Sequence, residues 1–140
     1  MAMTIHVDIV SAQAAIFSGA AELVIAPAEM GEVGIAARHA PFLARLKPGE
    51  VRVKISSTDI QPFYISGGLI EVQPHGVTIL ADTAVRAKDI DEAAALEAKR
   101  RAEEMLADKS GKIDYALAQA KLAEALVQLR TLDKYRSHRA

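Results

Sequence analysis

The chain has 140 residues, 51% of them hydrophobic and 25% charged, which suits one ordinary domain or a small domain with an appendage. Its formal charge of −1 lacks the basic excess of a general nucleic-acid binder, and the absence of Cys removes disulfides, thiolate metal sites and cysteine nucleophiles. With no Trp and only 4% aromatic residues there is little for base stacking, and no apolar run approaches the ~18 residues of a membrane span. Met1-Ala2-Met3-Thr4-Ile5-His6 lacks the blocks of a signal peptide, so a soluble protein of a cytosol-like compartment is expected.

A composition break divides the chain. All five Pro and seven of the eight Gly precede residue 87, as do all Val and Ile except Ile90, Ile113 and Val127. Residues 87–140 instead carry thirteen Ala, mixed with Leu, Glu, Lys and Arg. β-branched side chains suit a pleated strand, whereas Ala and straight-chain residues suit a helix. The expected organisation is α+β: an all-β domain over 1–86, then a helical domain over 87–140.

The β part reads as short strands. Ile5, Val7 and Ile9 alternate with His6, Asp8 and Val10, and Val51, Val53 and Ile55 alternate with Arg52, Lys54 and Ser56, the period of a half-buried strand. Further apolar runs are Glu22–Ala26, Phe42–Leu46, Phe63–Ser66, Leu69–Val72 and Val77–Ala81. Turns are expected at Ser18-Gly19, Gly31-Glu32-Val33-Gly34, Lys47-Pro48-Gly49, Ser57-Thr58-Asp59, Gly67-Gly68 and Pro74-His75-Gly76. Such spacing predicts a sandwich or flattened barrel.

The tail reads as an antiparallel two-helix hairpin. Asp89 as N-cap with Glu92 resembles a capping box and starts a helix over about 90–108. Asp108-Lys109-Ser110-Gly111 breaks it, Gly111 taking a left-handed conformation. A second helix over about 114–136 would be roughly 34 Å long. The expected seam is Ala94, Ala98, Ala102 and Leu106 against Leu122, Leu126 and Leu129, with Tyr115 and Ala118 above. Alanine lets helices approach closely but buries little area, so the hairpin should be marginal alone and able to open.

No phosphate loop, dinucleotide fingerprint or nucleophile elbow is present: Gly31-Glu32-Val33-Gly34 lacks the third Gly and the Lys, and Ser66-Gly67-Gly68 lacks its flanking pattern. The four His show no metal-ligand spacing; His39 is expected to fix a loop by a hydrogen bond or to face a partner. Asp89, Asp91 and Glu92 suit a helix start, and Glu97 with Lys99, Arg100, Arg101, Glu103 and Glu104 suits a solvated helix face. Arg130, Lys134, Arg136 and Arg139 against Asp133 form a basic end, which either complements the helix dipole or docks on an acidic surface.

Several strings occur in a telling order: Phe17-Ser18-Gly19, Gly31-Glu32-Val33-Gly34-Ile35, His39-Ala40-Pro41, Lys47-Pro48-Gly49, the specific stretch Ser66–Ala84, and Asp89-Ile90-Asp91-Glu92-Ala93. Together, over essentially the whole chain, they resemble the epsilon subunits of bacterial rotary proton-translocating ATP synthases. The resemblance implies an N-terminal β-sandwich of about ten strands that clamps the gamma shaft and stands on the c-subunit ring, turning with the rotor. It implies a C-terminal hairpin that lies folded or extends along gamma into the alpha/beta catalytic head, where it inhibits ATP hydrolysis. By resemblance, Glu29, Gly31, Glu32 and Val33 meet the c-ring, with Glu32 the main contact. Ser11, His39 and Ala44 face gamma, and Arg130, Lys134, Arg136 and Arg139 approach an acidic loop of a catalytic beta subunit. No catalytic residue, metal or cofactor is implied, and the chain would sit peripherally on the cytoplasmic face of the inner membrane through protein contacts alone.

Two positions depart from the family pattern. Ala37-Arg38 stand where many relatives have Pro-Gly before His-Ala-Pro, predicting a different loop geometry and an added positive charge. Ile90-Asp91-Glu92-Ala93-Ala94-Ala95 keeps the Asp of the ATP-binding pattern Ile/Leu-Asp-x-x-Arg-Ala but has Ala94 in place of the Arg. Without that guanidinium, tight ATP binding is not expected. The alternatives are a small nucleotide-binding regulatory module and a small enzyme using His39 with Glu32.

Overall fold

The structure is a computed structural model describing residues 3–108, 111 and 114–139, with residues 138 and 139 described by backbone only. Two compact units emerge, Met1–Ala87 and Lys88–Ala140.

The first unit holds ten strands: β1 (Ile5–Ser11), β2 (Ala15–Ala21), β3 (Leu23–Ala28), β4 (Gly31–Ala36), β5 (Phe42–Leu46), β6 (Gly49–Lys54), β7 (Ile60–Ile65), β8 (Gly68–Gln73), β9 (Gly76–Ala81) and β10 (Ala84–Arg86). They run in the order β10-β7-β6-β3-β5-β8-β9-β1-β2, with β4 added beside β3. Among the described residues only the β1–β9 pair is parallel. β3 changes partner along its length, from β6 at Leu23–Ile25 to β5 at Ala28, and this turns the sheet over on itself.

Alternation builds the core. Val7, Ile9, Val24, Val51, Val53, Ile70, Val72, Val77 and Ile79 are fully or almost fully buried, along with Phe63 and Ile65. Each such side chain contributes about 1.5–3 kcal/mol by leaving water. Arg86 ties one end of the sheet to the other: its Nη2 donates to the Ile16 carbonyl on β2 at 2.6 Å. The same guanidinium lies 5.6 Å from the Phe63 ring centroid, and Phe63 meets Phe17 edge-on. The sandwich is therefore a nearly closed barrel, as its short strands predict.

Two expected turns are strands. Ser18-Gly19 lies inside β2, opposite Asp8 and Val7, and Gly31-Glu32-Val33-Gly34 forms most of β4, opposite Ala28 through Ile25. Ladder hydrogen bonds to β1 and β3 override the local turn preference of these residues. Only Gly31 keeps turn geometry, with φ +131°.

A short 3-10 turn, Ala87–Asp89, spans the boundary, and the second unit contains α1 (Glu92–Ala107) and α2 (Tyr115–Arg139), which pack together. Glu92 meets Arg136 while Tyr115 Oη donates to the Asp108 carbonyl, so the helices are antiparallel. The N-cap of α1 is Asp91, not Asp89: its carboxylate accepts from the Ala94 N–H at 3.0 Å. Asp89 is taken up by the 3-10 turn, and the N3 position falls on Ala94, so no capping box forms. Asp114 caps α2 through the Leu117 N–H. Gly111 adopts φ +78° as expected, while Lys109 and Ser110 of the proposed break lie outside the described residues.

The seam is shifted from the expected one. Ala95 and Ala102 are the buried residues of α1, whereas Ala94 and Ala98 are exposed. Ala118, Ala125 and Leu132 are buried on α2, Leu122 and Leu129 are half-buried, and Leu126 and Tyr115 face outward. The helix now starts two residues later, and the i, i+7 rows Ala95–Ala102 and Ala118–Ala125–Leu132 pack at the centre. The outer face of α1 is the expected charged ladder, with Glu97 bonded by Arg100 and Arg101 and Arg100 also reaching Glu104. The Arg100 hydrogen bond chiefly lowers the Glu97 pKa, and Glu97 in turn raises that of Arg100.

Gly68 tests the closure of the β unit. Its φ is +146°, and an added Cβ would stand 2.1 Å from the Leu80 carbonyl oxygen. Gly68→Ala is expected to destabilise the β unit by about 3 kcal/mol or more in urea unfolding. A midpoint within error of the unsubstituted chain would contradict this packing.

Candidate functional site

The β3–β4 hairpin presents the first group of expected contact residues. Its ends are pinned by the Ala28–Gly31 pair and by the Glu29 N–H bond to the Arg45 carbonyl, 3.0 Å. Between them Met30 is fully exposed. Glu32 projects from the outer face and is held there: Arg52 Nη2 on β6 lies 3.2 and 3.0 Å from its two carboxylate oxygens. Because β4 and β6 flank β3 on opposite sides, with Gly34 and Arg52 both opposite Ile25, alternation places Glu32 and Arg52 on one face. Arg52 Nε also lies 3.7 Å from Glu50. The hairpin thus offers Glu29, an apolar Met30, and a carboxylate whose charge is shared with a fixed guanidinium. Neither Arg52 nor Met30 is marked by a local sequence pattern.

Ser11, His39 and Ala44 occupy different settings. The Ser11 hydroxyl closes the β1–β2 turn, bonding Ala14 O and receiving the N–H groups of Gln13 and Ala14. His39 Nδ1 bonds the Ala40 carbonyl at 2.7 Å and its ring packs edge-on against Phe42, so it fixes its loop as expected. Ala44 lies on the core side of β5, while Leu43 and Arg45 point outward. Ser11 and Ala44 belong to the same β5–β8–β9–β1 stretch, at opposite edges of it.

The outer face of that stretch carries a feature that sequence reading missed. Leu69 and Leu80 stand directly opposite each other on β8 and β9, Val10 extends the row on β1, and Leu43 lies diagonal to Leu69. Leu43 is 69%, Leu80 48% and Leu69 40% exposed. Alternation in Leu69–Val72 and Val77–Ala81 gives two apolar faces, and only the structure shows which one is left in water. These apolar side chains on adjacent strands are left in water, interleaved with Arg45 and Glu71, which lie opposite Leu69 and Leu43.

The basic end of α2 is split. Arg130 and Lys134 are exposed and four residues apart on one stripe, whereas Arg136 sits more than 150° around the helix from Lys134 at the standard ~100° per residue. Arg136 pairs with Glu92, which raises its pKa most, with a smaller push from Asp133. The Arg139 side chain lies outside the described residues. Asp91, the retained residue of the ATP-binding pattern, is committed to capping α1, and at Ala94 it meets only a backbone N–H. Among the described residues no three His, Asp or Glu converge as a metal site, and no helix is long and apolar enough to cross a membrane.

Residues 4–87 match the family described as ATP synthase, Delta/Epsilon chain, beta-sandwich domain, and residues 88–133 match ATP synthase, Delta/Epsilon chain, long alpha-helix domain. The chain belongs to the ATP synthase delta/epsilon family. It is 71% identical over all 140 residues to the ATP synthase epsilon chain 1 of Methylococcus capsulatus, covering both chains completely. It is 64% identical over 136 residues to the epsilon chain of Nitrosococcus oceani, 97% of each chain. The fold also resembles a chain of the Euglena gracilis mitochondrial ATP synthase OSCP/F1/c-ring structure, with TM-score 0.68, 19% identity, and coverage of 98% of this chain and 82% of that one. A chain of the Tetrahymena thermophila mitochondrial ATP synthase central stalk and c-ring matches with TM-score 0.60 and 14% identity, covering 93% and 97%.

Within this delta/epsilon chain the departure at Ala37-Arg38 has a definite form. Arg38 adopts φ +65°, the left-handed region that a glycine takes freely. Its N–H bonds the Pro74 carbonyl at 3.1 Å, and the His39 N–H bonds Ala36 at 3.3 Å. The backbone accordingly takes a glycine-compatible conformation, where a different geometry is expected from sequence, and the arginine carries the strain. Arg38→Gly is expected to stabilise the chain by about 0.5–1 kcal/mol in urea unfolding, the left-handed penalty less the entropy of a glycine. Arg38→Ala, still strained, should show no such gain. A loss of stability in the glycine variant would contradict the assignment.

Proposed function

We propose that this chain is a non-catalytic rotor subunit of the central stalk of a proton-translocating ATP synthase, with a hairpin that restrains ATP hydrolysis. The observation that carries the reading is the exposed face of Leu43, Leu69 and Leu80, with half-buried Val10 beside them, on an otherwise tightly closed barrel. A stiff β unit with an apolar face and a separate protruding hairpin suits a coupling that transmits torque between two partners. The leucine face binds the gamma shaft, with Ser11 and His39 shaping the loops beside it. The β3–β4 hairpin, with Glu29, Gly31, Glu32 and Val33, stands on the polar loops of the c-ring. Proton flow that turns the c-ring then turns gamma, and ATP synthesis proceeds in the alpha/beta head. Attachment to the cytoplasmic face of the membrane follows from these protein contacts alone.

Restraint of hydrolysis requires no chemistry from this chain. When α1 and α2 part and extend along gamma, Arg130, Lys134, Arg136 and Arg139 approach an acidic loop of a catalytic beta subunit. The wedged helix opposes rotation and subunit closure, and its long-range attraction weakens with salt. A nucleotide-binding role for the hairpin is disfavoured by Ala94 and by the use of Asp91 as a cap.

Complex formation with a bacterial ATP synthase gamma subunit tests the attachment. The unsubstituted chain is expected to co-elute with gamma at moderate salt, and Leu69→Glu with Leu80→Glu to weaken binding at least ~30-fold, as for central interface residues. No complex with the unsubstituted chain would overturn the reading, and equal binding by the variant would overturn the assigned face. In the assembled enzyme, removal of residues 88–140 is expected to raise ATP hydrolysis. Unchanged hydrolysis would overturn the restraining role.

A further inference from the structure

The hairpin has one closed end and one open end. At the closed end α1 runs into α2 through residues 108–114, and Tyr115 Oη bonds Asp108. At the open end Arg136 Nη2 lies 2.9 Å from Glu92 Oε2. This is the one ion pair between the two helices among the described residues: the others in this unit run along α1 itself. Each partner suits its own helix, a carboxylate in the first turn of α1 and a guanidinium near the end of α2. Each is also half in solvent, so the pair can break without stranding a buried charge.

The position gives the pair leverage. Beneath it the seam consists largely of alanines, which hold the helices weakly. Arg136 is turned away from the Arg130–Lys134 stripe and toward α1, so closure and docking make competing demands on its guanidinium. A surface that binds only the parted hairpin sees an affinity reduced by the fraction of molecules that are parted.

We infer that Glu92 and Arg136 form a clasp that sets the balance between closed and parted hairpin and withholds Arg136 from the acidic docking surface until the helices separate. The second half of this inference rests on the restraining role proposed above; the first half does not. An exposed ion pair shifts such a balance by a factor of about two to five, and salt reduces the factor.

The pair makes an asymmetric prediction. Losing either partner parts the hairpin equally, but only loss of Glu92 leaves the docking cation in place. The chain has no cysteine, so a thiol introduced at a seam position reports parting by its rate of alkylation. In the full-length chain carrying Ala102→Cys, and separately Ala125→Cys as a second seam site, Glu92→Gln and Arg136→Gln should each raise the alkylation rate about two- to fivefold at low salt. High salt should remove these differences. In the assembled enzyme Glu92→Gln should deepen inhibition of hydrolysis, and Arg136→Gln should not. Unchanged alkylation in both single variants, or differences that persist at high salt, would overturn the clasp. Alkylation that responds as expected while inhibition responds to neither variant would leave the clasp standing and overturn the docking role of Arg136.

Discussion

The seam between α1 and α2 is built on Ala95, Ala102, Ala118 and Ala125, and burying an alanine methyl stabilises by only about 0.8 kcal/mol. The same principle applied to the first unit, where isoleucines, valines and Phe63 fill the interior, gives two to four times as much per side chain. Two bodies of unequal cohesion therefore share one chain. The barrel has its edge strands joined by Arg86 and its interior closed by a glycine that admits no side chain. The hairpin has small contacts, charged outer faces and an interhelical ion pair, Glu92–Arg136, exposed to solvent.

This inequality suits a subunit that must both grip and release. A gripping element loses coupling if it yields, so its contact residues belong on strands fixed by ladders on both sides. Leu69 and Leu80, the proposed contact residues, are placed this way on β8 and β9, whereas Glu32 lies on β4, which among the described residues pairs with β3 alone, and is steadied by Arg52 from the far side of β3. A releasing element needs two arrangements that lie close in free energy, which a leucine-zipper seam would forbid and an alanine seam allows. Ordinary close packing of the barrel and loose packing of the hairpin are thus complementary requirements of the proposed role.

Composition and periodicity revealed the division near residue 87, most strands and both helices, because β-branched and alanine-rich stretches differ strongly in local preference. The errors have a common cause. Ser18-Gly19 and Gly31–Gly34 carry turn residues, yet pairing with distant strands holds them extended, and no local pattern encodes that. Asp89 and Asp91 are equally good caps by type, and choosing the wrong one rotates the inferred seam from Ala95 and Ala102 to Ala94 and Ala98. Glu29, Glu32 and the basic residues of α2 were legible in the sequence as charges, while the contacts proposed for them came from the family resemblance. Their partners within the chain were not legible, since Glu32–Arg52 and Glu92–Arg136 are separated by long stretches of chain. The leucine face was hidden for a further reason: strand alternation distinguishes two faces but not which one is solvated.

Amide hydrogen exchange in the full chain under native conditions tests the unequal cohesion most directly. Amides of α1 and α2, such as those of Ala102 and Ala125, are predicted to exchange at least ~100-fold faster than those of Val53, Ile70 and Ile79, through an opening that leaves the barrel intact. Equal protection in both units, lost together in one cooperative step as denaturant is added, would contradict the account.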